Sequence, residues 1–252
     1  MNRWTLHHGD CLAWLRTIES ESVDAIVTDP PYASLGTSSS TVSRTEQTSS
    51  ELQFYAAWCR EHIAEWVRVL RPGGAFWMTI DWRGALCWED AAARAGFNRL
   101  RIGVWDRGGL GMGHSLRSQY ECFAVATLPG WKRQRADEGD VWRVSWTAGS
   151  RTAGHVAEKP VSLMTRAITL LAPTNSVVLD PFAGSGTTGV AALLAGYTFL
   201  GCEQNKDYHA TACRRLAAAE IGETVVRTAE PAPKPAARPD AQPSLFGKDG
   251  AR

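Results

Sequence analysis

Residues 176–195 impose the strongest constraint on what this chain can fold into. Val177-Val178-Leu179-Asp180 is a short, nearly all-apolar run that ends in an acid. Pro181-Phe182-Ala183-Gly184-Ser185-Gly186-Thr187-Thr188 is a Gly-rich turn, and Gly189–Ala195 is helix-forming. A buried strand that passes through glycines into a helix N-terminus is half of a nucleotide-binding crevice in a parallel α/β sheet. Gly184, Gly186 and Gly189 satisfy a G-x-G-x-x-G spacing, which by itself is a weak signal. No Lys follows the glycines, so a P-loop is excluded. Asp180 at the strand end repels a pyrophosphate and favours a cationic ligand carrying an ammonium group. The next strand, Tyr197–Glu203, also ends in an acid, and Glu203 is placed to accept from both hydroxyls of a ribose.

The rest of the chain repeats the alternation. Strands are predicted at Trp4–His8, Val23–Thr28, Ala75–Ile80, Arg99–Trp105, Glu121–Leu128, Ser176–Asp180 and Tyr197–Glu203. Helices are predicted at Leu12–Ile18, Glu51–Leu70, Leu86–Ala95, Pro160–Leu171, Gly189–Ala195 and Lys206–Ile221. Strands interleaved with helices give a single α/β domain with a mostly parallel, Rossmann-like sheet. The two strands around the Gly-rich loop Gly108–Gly113 have no helix between them and predict an antiparallel edge hairpin. Ala33–Ser50 is Ser/Thr-rich and reads as a loop, and Pro129–Gly154 has no clear period. Glu230–Ser244 holds five Pro and reads as an extended, disordered tail.

A second constellation follows the strand Val23–Thr28. In Asp29-Pro30-Pro31-Tyr32 two prolines stop the ladder and fix the backbone. They aim the Asp29 carboxylate and the Pro30 carbonyl out of the sheet, with Tyr32 beside them. Two acceptors and an aromatic face suit an exocyclic amino group on a planar base.

Taken together, these motifs resemble the S-adenosylmethionine-dependent amino-methyltransferases of DNA. Asp29-Pro30-Pro31-Tyr32 resembles the family's catalytic tetrapeptide and Asp180–Gly186 its cofactor loop. The tetrapeptide precedes the Gly-rich loop in the chain, the permuted order of the β class. The resemblance covers roughly residues 3–220. It implies a class I methyltransferase fold in two halves of one domain (1–126 and 155–222), a short target-recognition region at 127–154, and the tail at 223–252. It further implies cofactor contacts from Asp10 and Cys11, Asp29, His155, Lys159, Asp180, Pro181, Phe182, Ala183, Gly184, Ser185, Gly186, Thr187, Thr188 and Glu203. Lys159 is expected near the cofactor's carboxylate, and Cys11 contributes backbone rather than thiol chemistry. Trp105, Gly111-Met112-Gly113, Arg117 and Glu121 resemble the loop near the target base. Asp29, rather than Ser, at the head of the tetrapeptide favours N6 of adenine; N4 of cytosine is the alternative. A catalytically silent DNA-binding protein on the same scaffold is opposed by the intact tetrapeptide. A nicotinamide oxidoreductase is opposed by Asp180.

Double-stranded DNA as partner requires phosphate-binding cations. Net charge is only +1, but it is uneven: residues 1–98 carry 8 basic and 12 acidic groups, 99–151 carry 9 and 5, and 152–252 carry 10 and 9. The positive excess falls in the target-side segment, where Arg107, Arg117, Lys132, Arg133 and Arg135 are the candidate DNA contacts. Trp131, Trp142 and Trp146 could stack on bases, although core burial suits them better. The six Cys lack a C-x-x-C spacing, so neither a zinc site nor a disulfide framework is expected. A cytoplasmic, bacterial or phage setting fits, since the N-terminus shows no signal peptide and no apolar run is long enough to span a membrane. Relatives of this kind are often homodimers. In the tail, Gln242, Leu245 and Phe246 resemble a peptide that docks on replication sliding clamps, with Pro243 departing from the usual Leu.

Overall fold

Eight strands form one sheet in the order β1-β8-β7-β2-β3-β5-β4-β6. They are β1 (Trp4–His8), β2 (Val23–Thr28), β3 (Leu70–Ile80), β4 (Arg101–Asp106), β5 (Tyr120–Thr127), β6 (Val141–Arg143), β7 (Val177–Asp180) and β8 (Thr198–Glu203). The helices are α1 (Cys11–Leu15), α2 (Ser49–Val69), α3 (Ala85–Arg94), α4 (Val161–Leu171), α5 (Thr187–Leu194) and α6 (Lys206–Glu220). These elements come from a computed structural model that describes residues 3–33, 49–111, 115–145 and 158–222. Most of the Ala33–Ser50 loop, Met112-Gly113, Trp146, His155 and the tail segment with Gln242, Leu245 and Phe246 lie outside the described residues. Among the described residues, no helix is long and apolar enough to cross a membrane.

Strands β1, β8, β7, β2 and β3 run parallel, and β5 and β4 follow antiparallel. The hairpin is antiparallel as expected. It is not the edge, because β6 adds in parallel to β4, pairing Trp105 with Trp142. Three residues are too few to show a period, which is why Pro129–Gly154 read as irregular. The Arg71-Pro72-Gly73-Gly74 segment, between the predicted helix Glu51–Leu70 and the predicted strand Ala75–Ile80, is not a separate turn. It belongs to β3, whose ladder to β2 pairs Val23 with Leu70 and Ala25 with Ala75, so these four residues bulge outward. Pro72 is tolerated there because a bulge needs no ladder donor, and Gly73 takes φ +77°.

Side chains alternate across the strands. Phe76, Met78 and Ile80 of β3 face one core with Leu15 of α1, Ile63 and Trp66 of α2 and Trp88 of α3. Ala75 and Trp77 face the other, with Leu163 and Ile168 of α4, Val190 of α5 and Leu216 of α6. Three helices thus cover each face, as a buried parallel sheet requires. Trp66, Trp77, Trp88, Trp105 and Trp142 are among the largest fully buried side chains. Trp142 stacks on Trp77 with ring centroids 5.9 Å apart, and its indole N–H donates to the Gly139 carbonyl at 2.9 Å. Trp131 donates to the Leu171 carbonyl at 3.0 Å. Both rings are spent inside the fold rather than offered to bases.

α5 starts two residues before the predicted Gly189, so Gly189 lies within the helix. A Cβ there would come 2.4 Å from Leu216 Cδ2 and 2.7 Å from the Phe199 ring. Gly189→Ala is therefore expected to cost about 1–3 kcal/mol through overpacking, read as a lower midpoint in thermal or urea unfolding.

Candidate active site

Strand order reverses between β7 and β2. The connection from β2 leads to β3 on one side and that from β7 to β8 on the other, where β1 adds at the edge. The crevice beyond the carboxyl ends at such a switch point is the usual ligand site of an open α/β sheet. Asp180 closes β7 and Asp29 follows β2, so the two acids singled out from sequence flank this crevice. The β2–β7 register pairs Ile26 with Leu179, which brings the Thr28 hydroxyl to Asp180 Oδ1 at 2.6 Å.

Asp29 is held on both oxygens. The Thr79 hydroxyl donates to Oδ1, and Lys159 Nζ lies 2.8 Å from Oδ2. Thr79 arrives through the β2–β3 ladder, which pairs Thr28 with Met78. Lys159 stands just before Pro160, the N-cap of α4. The same ammonium lies 3.3 Å from Glu121 Oε2, and that oxygen also accepts the Tyr32 hydroxyl at 3.1 Å. Burial, then the charges of Asp29 and Glu121, holds the Tyr32 phenol well above its usual range, so it remains a donor. The Pro31 carbonyl accepts from the Tyr55 hydroxyl at 2.9 Å, and Tyr55 accepts in turn from the Trp88 indole at 3.0 Å. The turn is thus braced against α2 and α3. Lys159, expected near a cofactor's carboxylate, lines the crevice and has the two acids Asp29 and Glu121 as its protein partners.

The Gly-rich turn wraps the other wall. Burial pushes Asp180 up to about 6, against the pull of the Thr28 and Thr188 hydroxyls and the Phe182 N–H. Gly184 takes φ +54°, and a Cβ placed on it would meet nothing within 4 Å. Gly186, at φ +85°, is instead pressed against Ala212 of α6, 2.9 Å from a Cβ. Of the three glycines only Gly184 gives the crevice room; the other two let helices pack. Asp29, Lys159, Asp180, Phe182, Ala183, Gly184, Ser185, Thr187 and Thr188 line the crevice, joined by Glu158 and Met164.

Glu158 was missed in the sequence. It is buried, with Oε1 2.5 Å from Arg215 Nη2 and 3.5 Å from the Thr187 hydroxyl. Among the described residues, its buried Oε2 has no hydrogen-bond partner. Arg215 also donates to the Ser185 carbonyl at 2.8 Å and the Ser185 hydroxyl at 2.9 Å, fixing the turn from behind. A lone Glu before a Lys-Pro pair carries no sequence signal; only the fold brings Arg215 to it from α6.

Several expected contact residues sit elsewhere. Pro181, Gly186, Asp10, Cys11 and Glu203 do not line this crevice. Glu203 lies farther along the same sheet edge, where Oε2 accepts from Gly184 N at 2.8 Å and Oε1 from Asn205 N at 2.7 Å. Its acceptors are therefore already partly engaged by backbone. Asp10 caps α1, accepting from Ala13 N at 2.8 Å, and Gly9 N donates to the Glu203 carbonyl at 3.1 Å. Cys11 Sγ lies 3.5 Å from His62 Nε2, and burial pushes its thiol up to about 12, so it is no nucleophile. The Phe182 ring packs on Trp58 and His62 at 5.6 and 5.5 Å.

The candidate DNA cations divide. Arg107 is only 11% exposed; its guanidinium reaches Glu121 at 3.4 Å and the Ser118 carbonyl at 2.9 Å, which turns it inward rather than towards phosphate. Arg117 is exposed and braces the Gly111 carbonyl at 2.8 Å. Lys132 and Arg133 are exposed. Arg135 is exposed and pairs with Asp137 at 3.2 Å and Glu138 at 3.3 Å.

Comparison with known proteins agrees with this geometry. DNA adenine methyltransferase YhdJ of Escherichia coli (strain K12) is 30% identical over 248 residues, covering 84% of this chain and 82% of the relative. Type II methyltransferase M.HinfI of Haemophilus influenzae is 26% identical over 244 residues, covering 84% and 68%. The fold matches the M1.HpyAVI–SAM complex with a TM-score of 0.65 at 23% identity, over 84% of this chain and 98% of that one. It matches the cytosine-N4-specific PvuII DNA methyltransferase with a TM-score of 0.71 at 17% identity, over 84% and 86%. The sequence profile of the DNA methylases that act at N6 and N4 amino groups matches residues 23–214, and the chain belongs to that family.

Proposed function

We propose that this chain methylates N6 of adenine in double-stranded DNA, with S-adenosylmethionine as methyl donor. The observation that carries the reading is the placement of Asp29, with Pro30, Pro31 and Tyr32, directly across the switch point from Asp180. The residues of the crevice suit a cationic donor. Among the described residues Glu158 Oε2 is a buried acceptor without a partner, Asp180 is a second buried acid, and Gly184 leaves room for a ligand against the backbone. Glu158, Asp180 and the Gly184–Ser185 backbone would hold the amino-acid end, with Glu203 and Asp10 farther along the edge. When bound, the cofactor supplies an electrophilic sulfonium methyl group.

The chain's own residues prepare the nucleophile. A base in a duplex cannot reach the end of β2, so it must be flipped out. The Tyr32 ring, tethered through its hydroxyl to Glu121, offers a fixed stacking face. Each Asp29 oxygen keeps a lone pair beyond its Thr79 or Lys159 contact. Asp29 and the Pro30 carbonyl would accept the two amino hydrogens and localise the nitrogen lone pair. Fixed acceptors near developing positive charge, together with positioning, supply the acceleration. Asp at position 29 favours adenine over cytosine, and YhdJ is named as an adenine methyltransferase.

Incubation with duplex DNA and labelled S-adenosylmethionine, followed by nucleoside analysis, is expected to yield N6-methyladenine. N4-methylcytosine would move the assignment to the other branch of the family, and no labelled nucleoside on any duplex would overturn it. Docking of Gln242, Leu245 and Phe246 on a sliding clamp belongs to the same proposal and rests on sequence alone. So does a homodimer. Clamp pull-down unchanged by Leu245→Ala with Phe246→Ala would remove the first.

A further inference from the structure

We propose that Lys159 is a positioning residue for methyl transfer: it fixes the Asp29 carboxylate in its accepting orientation and ties it, through Glu121, to Tyr32. The proposal rests on the reading of Asp29 as acceptor of the target amino group. It assigns Lys159 to the nucleophile's side of the reaction rather than to the cofactor.

The geometry is a closed network drawn from four elements. Lys159 Nζ lies 2.8 Å from Asp29 Oδ2 and 3.3 Å from Glu121 Oε2, with its side chain 10% exposed. It also stands 5.5 Å from the centroid of the Tyr32 ring. Thr79 from β3 holds the other oxygen of Asp29, and Tyr32 donates to Glu121 at the start of β5. The lysine backbone cannot drift, because Pro160 caps α4 and that helix buries Leu163, Met164 and Ala167. An ammonium fixed at this point leaves Asp29 one settled orientation, which is what catalysis by preorganised acceptors requires.

Charge balance gives the role a measurable consequence. Among the described residues, the charged and titratable groups around this point are Asp29 and Tyr32 beyond β2, Glu121 on β5, Arg107 beyond β4, Asp180 on β7, and Glu158. Glu158 is committed to Arg215, and Arg107 reaches Glu121 from the far side at 3.4 Å. Lys159 is the ammonium that Asp29 and Glu121 share. Without it, Glu121 retains Arg107, whereas Asp29 faces Glu121 and Asp180 with no cation. Like charges in a partly buried site favour the protonated acid. A protonated Asp29 becomes a hydrogen-bond donor and loses acceptor capacity. Burial opposes charge on Lys159, but Asp29 and Glu121 outweigh it and hold the ammonium above its ordinary range. The lysine therefore stays charged at every pH where the enzyme would be assayed.

The test is single-turnover methylation by the full chain between pH 5.5 and 9, with calorimetric S-adenosylmethionine affinity and a melting curve for each variant. Lys159→Met is expected to lower the rate about 100-fold at neutral pH and to move the acid limb of the rate upward by about one pH unit or more. Although Lys159 lines the cofactor crevice, the loss of cofactor affinity should be small beside the loss of rate, because the proposed role is exerted on Asp29. Lys159→Arg should restore the acid limb, and Lys159→Met with Glu121→Gln should bring it part of the way back. A merely structural lysine would move the melting curve and leave the acid limb in place. That outcome overturns the proposal, as does a loss confined to cofactor affinity. Should Lys159→Met fail to fold, Lys159→Gln takes its place with the same expected limb shift. A wild-type chain that methylates no DNA would instead sink the underlying reading of Asp29.

Discussion

Asp29→Ala is expected to abolish methyl transfer, lowering the single-turnover rate by about 10³-fold or more, while the protein still folds and binds cofactor. The reasoning follows from what surrounds the carboxylate. Its removal takes away the acceptor that localises the amino lone pair. It also releases Lys159, which keeps Glu121 as a partner 3.3 Å away and so is not stranded. Thr79 loses only a hydroxyl contact. Asp29 borders the same crevice, but most of the cofactor wall is built from Asp180, Glu158 and the Gly-rich turn and remains in place. A labelled-methyl assay with saturating cofactor checks this, with a melting curve alongside. A rate within tenfold of the native protein would remove Asp29 from the chemistry.

The largest expected effect on stability lies at Glu158. It is 5% exposed and Arg215 8%, and their 2.5 Å contact is the buried tie between the head of α4 and α6. Among the described residues, Glu158→Ala leaves the buried guanidinium only the Ser185 and Thr187 oxygens, and breaking such a pair costs about 3–5 kcal/mol. For a chain of this size that corresponds to a melting point lower by roughly 6–20 °C. Replacing both partners, Glu158→Leu with Arg215→Met, should recover most of that loss, because well-packed apolar pairs substitute for buried ion pairs at little cost. Cofactor affinity should not recover with it, since the unpartnered Oε2 is gone in both variants. Stability and affinity that rose and fell together across the three proteins would argue that Glu158 serves the fold alone.

Local patterns made most of the frame readable. The apolar run Val23–Thr28, the 3.6-residue spacing between residues 54 and 70, and the Gly-rich turn after Asp180 each gave an element within two residues of its observed bounds. β6 was not readable, because Val141-Trp142-Arg143 becomes a strand only by pairing with β4. The site divides the same way. Asp29 and Asp180 announce themselves through the prolines and glycines beside them. Thr79 and Glu158 do not, and Glu121 shows only as part of a resembling loop, because each acquires its partner through sheet register or helix packing across a long stretch of chain. The sequence singles out Lys159 and places it near the cofactor segment; its ion pairs with Asp29 and Glu121 emerge only from the fold. The contacts of Arg107 are hidden for a related reason, since a basic residue beside a Gly-rich loop looks solvated until Glu121 is seen behind it.

The first strand has a consequence for the chain's architecture. β1 pairs only with β8, near the other end of the described fold. The Arg3 N–H and the Trp4 indole donate to the two oxygens of Glu220, at 2.8 and 2.9 Å. The start and finish of the folded unit are thus already stapled together. Such a fold can in principle be joined end to end and opened at another loop without changing a single strand neighbour. Which motif comes first is then an accident of where the polypeptide was cut. The chemistry depends on the circle, not on its starting point.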